Sequence, residues 1–195
     1  TLGNAATGIV FPVFIIAQAF AWCFGDGCAA YLNICQGRND DENAHRAIGS
    51  SATVAFLSGI AMIALILPFR VPILTLFGAS ENTMAYAIEY LNIVLVMMPV
   101  YILCNMMNSV IRADGSPSWA MTSMLVGAIT NIILDPLFIF VFKMGMTGAA
   151  LATVIGQGAT FLMSGWYFMH TKTFRLKKSS FIPALRPLME VVKLG

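Results

Sequence analysis

Residues 117–142 read PSWAMTSMLVGAITNIILDPLFIFVF, and Asp135 is the only charged side chain in the run. A helix needs roughly 20 apolar residues to cross about 30 Å of hydrocarbon, so this stretch is long enough to span a bilayer. An acidic group at the centre of such a helix costs about 2.5–3.5 kcal/mol on insertion scales. No Lys or Arg lies nearby in sequence to neutralise it. A carboxylate placed at that cost points to work on ions or protons ahead of packing.

Four more runs reach spanning length: about Gly8 to Cys35, Ala47 to Phe69, Met84 to Ile111 and Thr147 to His170. They are continuous and lack the strict alternation of barrel strands, which predicts an all-α, polytopic membrane bundle of about five spans. Composition agrees: 58% of the 195 residues are hydrophobic and 10% are charged, against about 25% charge in soluble domains. Mean hydropathy is +0.81. A net charge of +2 is too small to suggest a nucleic acid partner. Walker loop, HExxH, GxGxxG and nucleophile elbow are all absent, so neither an ATP-driven pump nor an enzyme is expected, and no cofactor. Cys23, Cys28, Cys35 and Cys104 form no CxxC pair and read as small apolar filler.

Five spans alternate sides, so the loop GRNDDENAHR (37–46), the turn RADGS (112–116) and the tail after His170 share one face. That face collects every Lys and Arg except Arg70 and Lys143, and the positive-inside rule makes it cytoplasmic. The N-terminus then falls outside, so a preceding helix is expected. The tail SSFIPALRPLMEVVKLG is mildly amphipathic and stops where another span could begin. The expected division is a transmembrane bundle over residues 1–171 and a cytoplasmic linker over 172–195, in a multi-pass protein of the cell membrane.

Three of the spans carry a polar stripe at helical spacing. Ser123, Gly127, Asn131 and Asp135 form one; Tyr101, Asn105, Asn108 and Arg112 a second; Thr153, Gln157, Thr160 and Ser164 a third. Pro136 cannot donate to the carbonyl of Ile132, which leaves an acceptor free one turn before the carboxylate and predicts a kink. Converging stripes would line a water-accessible cavity. The alternative for the amides and hydroxyls is interhelical hydrogen bonding worth about 1 kcal/mol each. Asp26, in FGDGCAA, reads as a packing acid or a second ion site toward the cytoplasmic half. Arg112 and Asp114 read as a helix end and tight turn, and Glu89 as an interfacial residue within reach of water.

The order AAYLNICQGRNDDENAHRA, VIRADGSPSWAM, NIILDPLFIF, KMGMTGAALATVIGQ resembles the multidrug and toxic compound extrusion family, in its bacterial MepA- and DinF-like branch, across nearly the whole chain. The resemblance implies one lobe of a two-lobe, twelve-helix transporter, with this chain supplying family helices two to six and the linker toward helix seven. It implies that the family's first helix, which carries another acid, and its C-terminal lobe are partners missing from this chain. It implies a secondary antiporter that exports amphipathic, often cationic, small organic compounds in exchange for Na⁺ or H⁺. The resemblance implies that Asp135, Asn131, Thr153 and Asn108 match the family's cation-coupling residues, with Asp135 and Asn131 as the candidate Na⁺ ligands; Gln157, Asn105 and Tyr101 are expected to line the cavity. The rival readings are a lipid-linked precursor flippase of related plan, which should show several basic side chains toward the cavity, and a non-transporting membrane scaffold.

Overall fold

The computed structural model describes residues 2–171 and 185–195. The described residues form α1 (Leu2–Gly37), α2 (Asp41–Ile66), a short α3 (Arg70–Leu76), α4 (Glu81–Val96), α5 (Met98–Ala113), α6 (Pro117–Pro136), a π-helical turn (Leu137–Val141), α7 (Gly145–Met169) and α8 (Leu185–Leu194). α1, α2, α6 with its π turn, and α7 are each long and apolar enough to cross a membrane, and α4 with α5 pass the same test together, which makes a fifth crossing when the bent pair is taken as one span.

Local chemistry sets the ends of these helices. Asp40 caps α2, accepting from the Asn43 backbone N–H at 3.2 Å and from Asn43 Nδ2 at 2.7 Å. Asp41 and Glu42 then sit in the first turn, where the helix dipole favours negative charge. Ser80 and Thr83 form a reciprocal capping box on α4. Gly115, at φ +76°, turns the chain between α5 and α6, and Pro117 opens α6, where its missing N–H costs nothing.

The third span is not the continuous helix over Met84–Ile111 that its apolar run predicts: it extends from Glu81 to Ala113 and bends by 57° at Met97. Pro99 sits at the start of α5 and cannot donate back into α4. Gly59 of α2 lies against this corner; a Cβ there would come within 2.3 Å of Pro99 Cα. Only a glycine lets α2 approach so closely, so the bend is held from outside as well as permitted from within.

The core lies where α1 packs on α2, α4 and α5. α6 and α7 form a second pair, joined to the first mainly through α5 and α4. α6 buries only Ala120, Ser123 and Gly127, while Met121, Leu125, Ile129, Ile132 and Ile133 remain exposed. Small or polar residues inside and large apolar ones outside suit a helix whose outer face meets acyl chains rather than water. The stripe ends at Pro136, and the ladder loosens into the π turn, in which Phe142 N–H bonds to Leu137 O at 3.0 Å. The kink expected at Pro136 thus takes the form of a π distortion.

In the C-terminal segment, Lys172, Arg175, Lys177 and Lys178 lie outside the described residues. α8 is described, and it docks on α1 and α2 with Val191 fully buried, so this part of the expected linker is a packed helix. All four cysteines are free thiols, three of them buried.

Candidate functional site

α6 and α7 meet backbone to backbone at Gly127 and Gly156: a Cβ on Gly127 would fall 2.7 Å from Gly156 O, and one on Gly156 would fall 2.8 Å from Gly127 O. This crossing brings the polar stripe of α6 against that of α7. With α5 and α1 they border a half-open cavity of about 320 Å³. Its lining includes Tyr101, Asn105 and Asn108 from α5, Asn131 from α6, and Thr153, Gln157 and Thr160 from α7. All the expected coupling and cavity residues except Asp135 therefore stand on one wall system.

Hydrogen bonds sort these side chains by freedom. Asn108 is buried and committed: Nδ2 donates to Cys104 O at 2.9 Å and toward Ser164 Oγ at 3.4 Å, and Oδ1 accepts from Ser123 Oγ at 3.1 Å. It ties α5, α6 and α7 together on the cavity wall. Asn105 Nδ2 donates to Tyr101 O at 2.9 Å, and Thr160 Oγ1 to Gly156 O at 3.2 Å. Thr153 Oγ1 donates to Ala149 O at 3.0 Å and lies 3.4 Å from Tyr90 Oη, leaving an oxygen lone pair to offer.

Asp135 is half-buried one turn beyond Asn131 and does not line this cavity. Its Oδ1 is enclosed without a hydrogen-bond partner among the described residues. Buried carboxylate oxygens normally have partners, because an unpaired one forfeits its hydration. Asp135 carries a carboxylate, Asn131 an amide carbonyl and Thr153 a hydroxyl, all hard oxygen donors.

Two lining or contact residues escaped the sequence reading. Tyr90 reaches Thr153 from α4, across 63 positions; as a single aromatic in an apolar run it carries no signal beyond core packing. Gln18 of α1 lines the cavity; as an isolated amide in a spanning helix it did carry one. Asp26 accepts from Ser109 Oγ at 2.7 Å and from Arg112 Nη2 at 3.4 Å, so Arg112 is an ion-pair partner rather than a simple helix end. Asp114 is buried and accepts from Tyr167 Oη at 2.6 Å, as a turn-holding acid should. Glu89 is exposed and accepts from Thr147 Oγ1.

Five apolar crossings around an off-centre polar cavity, with an under-satisfied carboxylate beside it, define a multi-pass membrane protein of the helical-bundle class. A MatE family model matches residues 4–137, and the chain belongs to that family, whose members are membrane transporters rather than enzymes. It is 30% identical over 98% of its length to the multidrug export protein MepA of Staphylococcus haemolyticus (strain JCSC1435), covering 42% of that protein. To the MepA of Staphylococcus aureus (strain NCTC 8325 / PS 47) it is 31% identical, again over 98% of this chain and 43% of the relative. It superimposes along its whole length on the inward-facing structure of a multidrug resistance MATE family transporter, with a TM-score of 0.94 and 27% identity, covering 44% of that chain. The outward-facing structure of a multidrug resistance MATE family transporter matches with a TM-score of 0.89 at 27% identity, over 98% of this chain and 43% of that one. The chain thus spans less than half of its relatives and corresponds to one lobe of the solved transporters.

Proposed function

We propose that this chain is the N-terminal lobe of a cation-coupled antiporter that exports amphipathic, often cationic, organic compounds across the cell membrane. Residues 1–171 form the lobe and 172–195 a cytoplasmic linker toward helix seven, with the basic loops inside. The lobe works with the family's first helix and C-terminal lobe, in the bilayer, on Na⁺ or H⁺ and small organic substrates. The observation that carries the reading is the enclosed, unpartnered Oδ1 of Asp135, one turn from Asn131 on the wall of a polar cavity. It is supported by the names of the relatives, which export multiple drugs.

In this reading Asp135 alternates between a charged and a neutralised state. Na⁺ held by Asp135 and Asn131, with Thr153 contributing its hydroxyl, or H⁺ on Asp135 alone, removes the cost of enclosing the charge. Neutralisation favours a closer approach of α6 to α7, and the loosened π turn after Pro136 gives α6 a place to bend. A ligand shifts a conformational equilibrium only by its differential affinity for the two states, and an enclosed carboxylate provides that difference. Asn108, already saturated by its neighbours, holds the three helices in register around the site. Asn105, Gln157 and Tyr101 line the adjoining space, in which an organic substrate competes with the cation for the same lobe.

The test uses the complete transporter in proteoliposomes with imposed Na⁺ and H⁺ gradients applied separately. Asp135→Asn preserves size and removes the titratable charge. Efflux driven by the coupling gradient should disappear while thermal stability is retained. Efflux at the wild-type rate in Asp135→Asn would reduce the carboxylate to a structural role.

A further inference from the structure

α1 and α5 run parallel, in register, from the cavity toward the basic end of the bundle. Phe14 meets Tyr101 edge to face, with ring centroids 5.6 Å apart. One turn on, Gln18 and Asn105 line the cavity together. Two turns further along α1, Asp26 Oδ1 receives Ser109 Oγ at 2.7 Å and Arg112 Nη2 at 3.4 Å. Phe14, Gln18, Trp22 and Asp26 recur every four residues, so they share one face of α1. Gly25 keeps the ladder tight: a Cβ there would lie 3.0 Å from Met106 Cα and from Ser109 Oγ.

The end of this ladder is open. Asp26 and Arg112 keep 57% and 49% of their side-chain surface exposed, and Trp22 is 53% exposed. Charged groups within membrane spans face a bundle interior or a water-filled cavity, not acyl chains. Gln18 lines the polar cavity, and Asp26 stands two turns further along the same helix toward the basic end of the bundle. The ion pair itself is loose: 3.4 Å exceeds the roughly 2.7–2.9 Å of a good charge-assisted bond, and the same Arg112 nitrogen has its shorter contact, 2.9 Å, with Ser109 Oγ. Asp26 thus keeps lone pairs for another cation, one helical turn from an exposed indole. A carboxylate beside an aromatic face is the pairing that holds an organic cation, through charge and cation–π attraction together.

We propose that Trp22 and Asp26 form a recognition site for the positively charged group of an amphipathic organic cation at the cytoplasmic mouth of the lobe, with Arg112 as its built-in competitor. Arriving substrate displaces the guanidinium from Asp26, and Ser109 retains Arg112 nearby. Gln18 and Asn105 lead from this site to the cavity. The inference rests on the antiporter reading and adds to it a selectivity device at a place distinct from Asp135.

The probe is tetraphenylphosphonium, with equilibrium binding measured on the complete purified transporter in nanodiscs and a neutral amphiphile as control. Asp26→Asn and Trp22→Ala should each weaken binding of the cation, Asp26→Asn by about tenfold. Arg112→Gln should tighten it by about three- to tenfold, because the competitor is gone. Binding of the neutral control should move less than twofold in all three variants, a threshold set by about 0.4 kcal/mol. The opposite signs separate recognition from scaffolding: a purely structural ion pair loses binding whichever partner is removed. Weaker cation binding in Arg112→Gln, or unchanged binding in Asp26→Asn, would overturn the site. Should Asp26→Asn fold poorly, Arg112→Gln and Asp26→Glu carry the test, Asp26→Glu being expected to retain cation binding and a loss there counting against the site. Gradient-driven efflux of the probe by the wild type with all these affinities unchanged refutes this site alone. Failure of the wild type to bind or export the probe refutes the antiporter reading with it.

Discussion

Replacing Gly127 by Ala tests the crossing on which the cavity depends. The new Cβ would lie 1.9 Å from Thr160 Oγ1 and 2.7 Å from Gly156 O, where ordinary contact begins at 3.4 Å. The threonine can turn away by giving up its bond to Gly156 O. The carbonyl cannot turn, being part of the helical ladder, so α6 and α7 must part locally by about 0.7 Å. A gap of that size forfeits roughly a quarter to a half of the dispersion energy of the atoms involved. Overpacking of this kind costs about 1–3 kcal/mol. Thermal unfolding of the purified transporter should show Gly127→Ala destabilised within that range. Adding Thr160→Ala to Gly127→Ala should recover only part of the loss, because the carbonyl contact persists. Full stability in Gly127→Ala, or complete recovery in the double variant, would refute a backbone-limited crossing.

Orientation is checked in a cysteine-free background, where an impermeant maleimide applied to intact cells should label Leu76→Cys, on exposed α3, and leave Arg38→Cys, at the opposite end of the bundle, unlabelled. Tyr167→Phe removes the 2.6 Å bond to buried Asp114 and should destabilise the protein by about 1–3 kcal/mol, read as a lowered Tm. The Asn43 side chain, then its backbone N–H, holds the half-buried Asp40 carboxyl below its usual range, so the cap's contribution is present above the unfolded-state pKa and fades as pH falls through the lower folded value. Hydrogen exchange in the first turn of α2 should speed up over that acidic window, and Asp40→Ala should remove the pH dependence.

Much of this architecture is legible in the residues themselves because a bilayer cannot hydrogen-bond an exposed backbone, so a long apolar run has to be a helix. The five crossings, the loops between them and the three polar stripes follow from spacing alone. Asp135 also stands out in the sequence, as an unneutralised acid in an apolar span. What spacing cannot supply is the rotation and register of one helix against another, which are set by backbone approach. Gly59 against Pro99 decides the 57° bend, Gly127 against Gly156 decides which stripes converge, and Gly25 against Met106 aligns α1 with α5. Those contacts bring Tyr90 to Thr153 and Arg112 to Asp26, pairs 63 and 86 positions apart. Asp135 stands on the same stripe as Asn131, one turn past the end of the cavity lining. Periodicity along a chain reports which face of each helix is polar; only the packed bundle determines what that face meets, since side chains four residues apart share a face whatever stands opposite.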